Sequence, residues 1–195
     1  FVNVLKSGLK LNHVSAVLEN IDFEVTELHE SENVYCALRY QVGYGSLNVT
    51  NLNVYGRGIR FGLLYLGEGA AVVQDMRFES TYDTAMAFLV GAADVPRTSS
   101  LSLSNVFSSK GIAVIRGAES ITFSNTRNLP GTTDTFWVRG IVPGYTLDLL
   151  RFDECDLHGS MTSYDRSRRT IINRIEGLDV AVETGPSIEV LSRTP

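Results

Sequence analysis

Cysteine and histidine are scarce in this chain, which limits the chemistry that the sequence predicts. The 195 residues include two cysteines, Cys36 and Cys155, and three histidines, His13, His29 and His158. Two cysteines cannot form the framework of a disulfide-rich domain, and their spacing is not that of a zinc site. The histidines show no metal-site or catalytic-triad arrangement. The sequence therefore predicts neither a metal nor another cofactor.

Long apolar runs and basic stretches are also missing. No run approaches the length of a membrane span, and the chain does not open with the basic and apolar regions of a secretion signal. A net charge of -5 at pH 7 argues against duplex nucleic acid or an anionic membrane as the partner. Because the chain starts at Phe1 and not at a methionine, we expect one domain, residues 1–195, cut from a longer polypeptide.

A short pattern returns at seven places along the chain: apolar, any, apolar, polar, Asn-like, apolar, any, apolar. It indicates two short alternating strands joined by a tight corner at the Asn-like residue. The corners stand at Asn20, Asn51, Asp75, Asn105, Asn125, Glu154 and Gly177. Two places before them stands an unbroken apolar column of Leu18, Val49, Val73, Leu103, Phe123, Phe152 and Ile175. We expect this column to stack in one core.

A third strand precedes a glycine in most repeats. The glycines are Gly43, Gly67, Gly91, Gly117 and Gly144, at spacings of 24, 24, 26 and 27 residues. The strands before them are predicted over residues 35–40, 59–66, 85–90, 112–115 and 136–142. Glycine suits a sharp corner with unusual dihedral angles.

Three short strands in a repeat of about 24 to 30 residues are typical of one turn of a parallel β-helix, whose coils bury their inner faces only by stacking. A β-sandwich is the alternative, because it also has many short strands with frequent turns. The hairpin dipeptides Asn-Gly and Asp-Gly, which a sandwich would use, are absent. The sequence therefore predicts an all-β solenoid of about seven coils and three short sheets, over roughly residues 14–181.

The polar-Asn corner between two alternating strands resembles the asparagine ladder of right-handed parallel β-helices of the pectate lyase type. The chain as a whole is similar to the β-helical shaft of bacteriophage tailspikes and tail fibres, although Asp75, Glu154 and Gly177 depart from Asn at the corner. The resemblance implies a right-handed helix in the extracellular virion tail, an adhesin that recognises host surface polysaccharide, and a homotrimer. It is a resemblance of coil pattern and includes no catalytic motif.

Two long corners on either side of a short one predict a groove. The long corners are residues 79–84 and 129–135, and the short one is residues 109–111. Lys110 is expected on the floor of the groove, and the carboxylates Glu79, Asp83 and Asp134 on its walls. Equivalent points two coils apart are separated by about 10 Å, close to the carboxylate separation of inverting glycosidases.

The groove leaves two functions open. One is an adhesin whose substrate-binding residues are Tyr82, Lys110, Trp137 and Arg139, with an aromatic face for a sugar ring. The other is a polysaccharide depolymerase, a hydrolase or lyase, with Glu79, Asp83 and Asp134 as catalytic residues. Against catalysis stands the simpler interpretation that loop acids are solvated or hydrogen-bonded to their own backbone.

The third strands are apolar on both faces, and strands of that kind are normally covered on both sides. Strict alternation places Ala85, Ala87, Ile112, Val114, Phe136 and Val138 inward and Met86, Phe88, Ile115 and Trp137 outward. An exposed apolar patch marks an interface. We therefore expect this face to form the axis of the homotrimer, unless a segment of the parent protein covers it.

Overall fold

The computed structural model describes residues 7–12, 15–25, 36–41, 45–91, 98–116, 118–138, 145–163, 170–178, 180–182 and 187–195. Within these ranges the chain consists of strands and turns, with no helix. Among the same residues, no helix long and apolar enough to cross a membrane is found. The predicted all-β class is therefore confirmed.

Two long parallel sheets make up most of the structure. The first contains, in order, β1 (Ser7–Asn12), β3 (Cys36–Gln41), β5 (Phe61–Leu66), β7 (Met86–Val90), β9 (Gly111–Ile115), β12 (Asp134–Val138), β15 (Ser160–Ser163) and β18 (Ala181–Val182). The second contains β2 (Ala16–Val25), β4 (Leu47–Gly56), β6 (Ala70–Ser80), β8 (Thr98–Ser108), β10 (Ala118–Ser124), β14 (Leu149–Asp153), β17 (Ile175–Glu176) and β20 (Arg193–Thr194), with β11 (Arg127–Asn128) beside β8.

Strands β1 to β10 alternate between these two sheets, and each pairing among them is parallel. Such alternation is what a parallel β-solenoid requires, because each circuit of the chain adds one strand to each sheet. A third sheet joins β13 (Tyr145–Leu147), β16 (Thr170–Ile172) and β19 (Ile188–Val190). Paired strands therefore begin before and continue beyond the predicted coils, residues 14–181.

The predicted corners have the left-handed backbone conformation. The φ angles are 56° at Asn20, 56° at Asn51, 57° at Asp75, 53° at Asn105, 45° at Asn125, 53° at Glu154 and 70° at Gly177. In β2, β4, β6 and β8 the strand continues through the corner, where the sequence predicted two separate strands. The asparagines also form a ladder, since the Asn51 amide donates to Asn20 at 2.9 Å and the Asn125 amide to Asn105 at 2.8 Å.

The predicted apolar column stacks as expected down to Phe152. Leu18 pairs with Val49, and the pairing continues through the column to Phe123 and Phe152, whose rings stack at 5.2 Å. The last step differs, because Ile175 pairs with Leu150 and not with Phe152. This shift places Gly177 against the Phe152 carbonyl, where a Cβ atom would lie 2.0 Å from the oxygen.

Along β5, β7 and β9, both faces of the first sheet are buried within the single chain. Its inner face joins the main core, which it shares with the second sheet. Its outer face forms a separate group, the second cluster, of Cys36, Phe61, Leu64, Leu66, Met86, Leu89 and Val114, with Trp137 packed against it. Met86 and Leu89 are each 1% exposed. The exposed patch predicted for this face is therefore absent from the described part of the chain.

Three of the predicted side-chain directions in these strands were wrong. Phe88 and Ile115 pack in the main core, and Val114 belongs to the second cluster. The reason is a slip in the alternation, since the adjacent residues Ala87 and Phe88 both pack in the main core. One residue of slip exchanges the faces of everything that follows in the strand.

Candidate functional site

A cavity of about 250 Å³ lies where the two long corners flank the short one. The chain passes from β8 to β9 through Ser109 and Lys110 alone, whereas longer connections lead into β7 and β12. The lining residues are Asp83, Thr84, Ala85, Met86, Ser109, Lys110, Gly111, Leu129, Pro130, Gly131, Thr132, Thr133, Asp134 and Trp137. The groove predicted from corner lengths is therefore present.

The short corner is held by the buried hydroxyl of Ser108. This hydroxyl donates to the Gly111 carbonyl at 2.9 Å and accepts the Lys110 amide at 3.2 Å. Gly111 is tightly enclosed, because a Cβ atom there would lie 2.1 Å from the Met86 sulfur and 2.7 Å from the Asp134 carbonyl oxygen. The floor of the cavity therefore depends on a residue without a side chain at this position.

Lys110 and Asp83 form the charged part of the floor and one wall. The Lys110 ammonium lies 3.9 Å from Asp83 Oδ1, and the Asp83 side chain is fully exposed. A pair at this distance and exposure contributes little to stability. Both groups therefore remain available to a ligand that enters the cavity.

Asp134 stands on the opposite wall and is partly buried. Its carboxylate accepts a hydrogen bond of 3.2 Å from the Thr162 hydroxyl on the next strand. Beside it, Trp137 pairs with Val114 on one side and Thr162 on the other. The indole is half-buried against the second cluster, so its orientation is fixed by packing.

The wall formed by residues 129–133 is pinned at both ends. Within it, the Thr132 amide and hydroxyl both donate to the Leu129 carbonyl, at 3.3 and 2.8 Å. At its start, the buried Asn128 side chain accepts the His158 amide at 2.7 Å and donates to the His158 carbonyl at 2.9 Å. At its end, the Thr135 hydroxyl donates to the same carbonyl. Such a wall is preorganised for binding.

The cavity brings together four of the seven predicted site residues: Asp83, Lys110, Asp134 and Trp137. Glu79 is not among the lining residues, and its carboxylate accepts a hydrogen bond of 2.7 Å from Arg77 Nε on the same strand. Tyr82 packs against the main core and also does not line the cavity. Arg139 lies outside the described residues.

Sequence reasoning missed most of the wall. Leu129, Pro130 and the hydroxyls of Thr132 and Thr133 line the cavity, although only charged and aromatic residues were singled out. The signal that could have found them is the length of the corner itself, since inserted loops on a rigid scaffold are where binding residues concentrate. Among the described residues, no group of three or more His, Cys, Asp or Glu side chains could hold a metal ion.

No protein-family model, no curated protein and no solved structure matches the chain.

Proposed function

We propose that this chain is the β-helical part of a phage tailspike or tail fibre and that its cavity binds host surface polysaccharide. In this proposal the helix is right-handed, as in the proteins that the coil pattern resembles, and it has about seven coils. We assign the chain to the extracellular virion tail, as an adhesin, because of the same resemblance in its asparagine corners.

The observation that supports binding is the cavity between the corners. It lies between the corners of neighbouring coils, and its lining combines hydroxyl, carboxylate, ammonium and indole groups. Sugars are bound by groups of this kind, because their hydroxyls need hydrogen-bond partners and their apolar ring faces pack on aromatic rings. A volume of about 250 Å³ matches one or two sugar units better than a macromolecular partner.

Filling the cavity tests the proposal. Thr133 is exposed and lines the cavity, so Thr133→Trp should occupy the space of a sugar ring and leave the fold intact. We expect the variant to lose at least about tenfold in affinity for capsule or lipopolysaccharide preparations that the wild-type chain retains in affinity electrophoresis. Thr50→Trp, at an exposed position of β4 outside the cavity, is the matched control. Equal retention of the wild type and Thr133→Trp would remove the cavity as the binding site.

A polysaccharide depolymerase is the second candidate, and one observation favours it: Asp83 and Asp134 line the same cavity. Hydrolysis by two carboxylates needs one of them to hold a proton and the other to activate water or attack the sugar. The variant Asp83→Asn with Asp134→Asn separates the two functions. Release of reducing ends or unsaturated sugars by the wild type and not by this variant would establish the enzyme, whereas binding without release by either protein would support the adhesin.

A further inference from the structure

Beside the cavity, three side chains on neighbouring coils form a stack on the outer face of the second sheet. Phe107 pairs in register with Arg77 on one side and Arg127 on the other. The Arg77 guanidinium lies 5.1 Å from the centroid of the Phe107 ring, and the Arg127 guanidinium 5.7 Å from it. Both distances are within the range of a cation–π contact.

The two arginines differ in their charge partners. Arg77 is neutralised by Glu79, which accepts a hydrogen bond of 2.7 Å from Nε. Arg127 has no carboxylate within ion-pair distance among the described residues. Its neighbour on the next coil, Asp156, pairs with it through the backbone, but the Asp156 carboxylate lies 3.5 Å from His158 Nε2. The Arg127 guanidinium is therefore a cation whose hydrogen-bond donors are free to serve a ligand.

Stacking on Phe107 prepares Arg127 for recognition of an anion. A guanidinium held against an aromatic ring keeps the N–H groups at its edge free, and these match the two oxygens of a carboxylate. Because part of its conformational freedom is already lost, the side chain loses less entropy on binding. Arg127 therefore has this contact with an aromatic ring and has no carboxylate partner among the described residues.

Arg127 also lies two residues before Leu129, a lining residue of the cavity. It is exposed, the next residue Asn128 is buried, and Leu129, which lines the cavity, is 44% exposed. Alternation along the chain therefore places Arg127 and Leu129 on the same side, about 7 Å apart. Adjacent sugar units of a polymer are separated by a similar distance, so one chain could contact both residues.

We infer that Arg127, positioned by Phe107, binds the carboxylate of a sugar unit next to the unit in the cavity, so that the polysaccharide is acidic. This inference rests on the proposed binding of polysaccharide. It adds the chemical class of the ligand and a second subsite. In the cavity the Lys110 ammonium lies among the carboxylates Asp83 and Asp134, so Arg127 supplies the unpaired cation for the neighbouring sugar unit.

The test compares polymers and variants of the full chain. Polygalacturonate and hyaluronate carry carboxylates, dextran is neutral, and dextran sulfate carries sulfates. We expect the wild type to bind a carboxylate polymer more tightly than dextran, and Arg127→Gln to lose about tenfold or more, the loss expected for a charge-assisted hydrogen bond. Arg127→Lys keeps the charge and loses the fork, so it should also be weakened. The control is Arg151→Gln, because Arg151 is an exposed arginine held by Asp153 at 3.1 Å.

Each outcome decides either the acidic subsite at Arg127 or the binding of polysaccharide in the cavity. Loss of affinity in Thr133→Trp with full affinity in Arg127→Gln would overturn the acidic subsite and leave the cavity as the site. Tighter binding of dextran than of the carboxylate polymers would do the same. Tightest binding to dextran sulfate would show that sulfate, not carboxylate, is recognised, and full affinity in Arg127→Lys would overturn the planar fork. If the wild type binds capsule or lipopolysaccharide but neither carboxylate polymer, the acidic subsite alone fails, and if it binds none of them, the proposed function and the subsite fail together.

Discussion

At the scale of single residues, the corners of the solenoid are the clearest link between sequence and structure. A left-handed backbone costs an ordinary L-residue roughly 1–2 kcal/mol, and Asn and Asp accept it more easily because their short side chains bond locally. Five of the six non-glycine corners are Asn or Asp. Glu154 is the exception, with a φ of 53° and an exposed side chain.

This exception predicts a stabilising substitution. Glu154→Asn should raise the free energy of unfolding by about 1 kcal/mol, because Asn relieves the backbone strain at the corner. Urea unfolding measures the change. Glu119→Asn, at an exposed position inside β10, is the control and should be neutral or slightly destabilising, since Asn is a poor strand residue. An unchanged or lowered midpoint for Glu154→Asn would contradict the role of strain.

A buried tyrosine gives the fold a defined sensitivity to alkali. Tyr65 is fully buried, stacks on Tyr40 at 5.1 Å and donates to the Gly69 carbonyl at 3.0 Å. Burial, and secondarily the charge of Tyr40, raises the pKa of Tyr65 above its usual value of 10.0. Above about pH 10 the unfolded chain therefore releases a proton that the folded chain keeps, so this contribution to stability is complete below that pH and is lost as the pH rises.

Tyr65→Phe tests this linkage. At about pH 8 the variant should be less stable by about 1 kcal/mol, because the hydrogen bond to Gly69 is lost. Between about pH 8 and pH 11 its free energy of unfolding should fall less steeply than that of the wild type. Tyr55→Phe, at a partly exposed position of β4, is the matched control for the loss of a tyrosine hydroxyl. Parallel pH profiles of the wild type and Tyr65→Phe would disprove the assignment.

At the scale of strands and corners, the sequence predicted the second sheet better than the first. In the second sheet apolar and polar residues alternate, so a register error would expose the core and the pattern has one solution. In the first sheet β5, β7 and β9 are apolar at nearly every position, so hydrophobicity cannot reveal where alternation slips. The slip coincides with small residues: Ala87 in β7 and Gly62 in β5, where a Cβ atom would lie 2.4 Å from the Met76 side chain.

The same contrast applies to the candidate site. Corner lengths can be read from the repeat, and they predicted the position of the groove with Asp83, Lys110, Asp134 and Trp137 around it. Local pairing within a strand was not considered, so Glu79 was assigned to the groove although Arg77, two residues earlier on the same face, binds it. The stack of Arg77, Phe107 and Arg127 depends on register between coils, which becomes visible only when the insertions have been aligned in three dimensions.

At the scale of the whole molecule, the burial of both faces of the first sheet bears on oligomeric state. The homotrimer was predicted because an apolar face was expected to be exposed. The second cluster, which forms that face, is instead buried within one chain, and its member Leu89 is 1% exposed. A homotrimer remains a prediction of the resemblance, but this face no longer supports it, and any threefold contact would have to use another surface.

The second cluster should therefore act as core and not as an interface. Leu89→Ala should lower the free energy of unfolding by about 2–5 kcal/mol, as for other buried leucines, and leave the mass in sedimentation equilibrium unchanged where the protein is folded. Leu191→Ala is the matched control, because Leu191 is 60% exposed and its truncation should cost little. Wild-type stability in Leu89→Ala combined with a smaller particle mass would mean that the face is covered by another chain. Since Leu89 is buried in the isolated chain, we expect the loss of stability without dissociation.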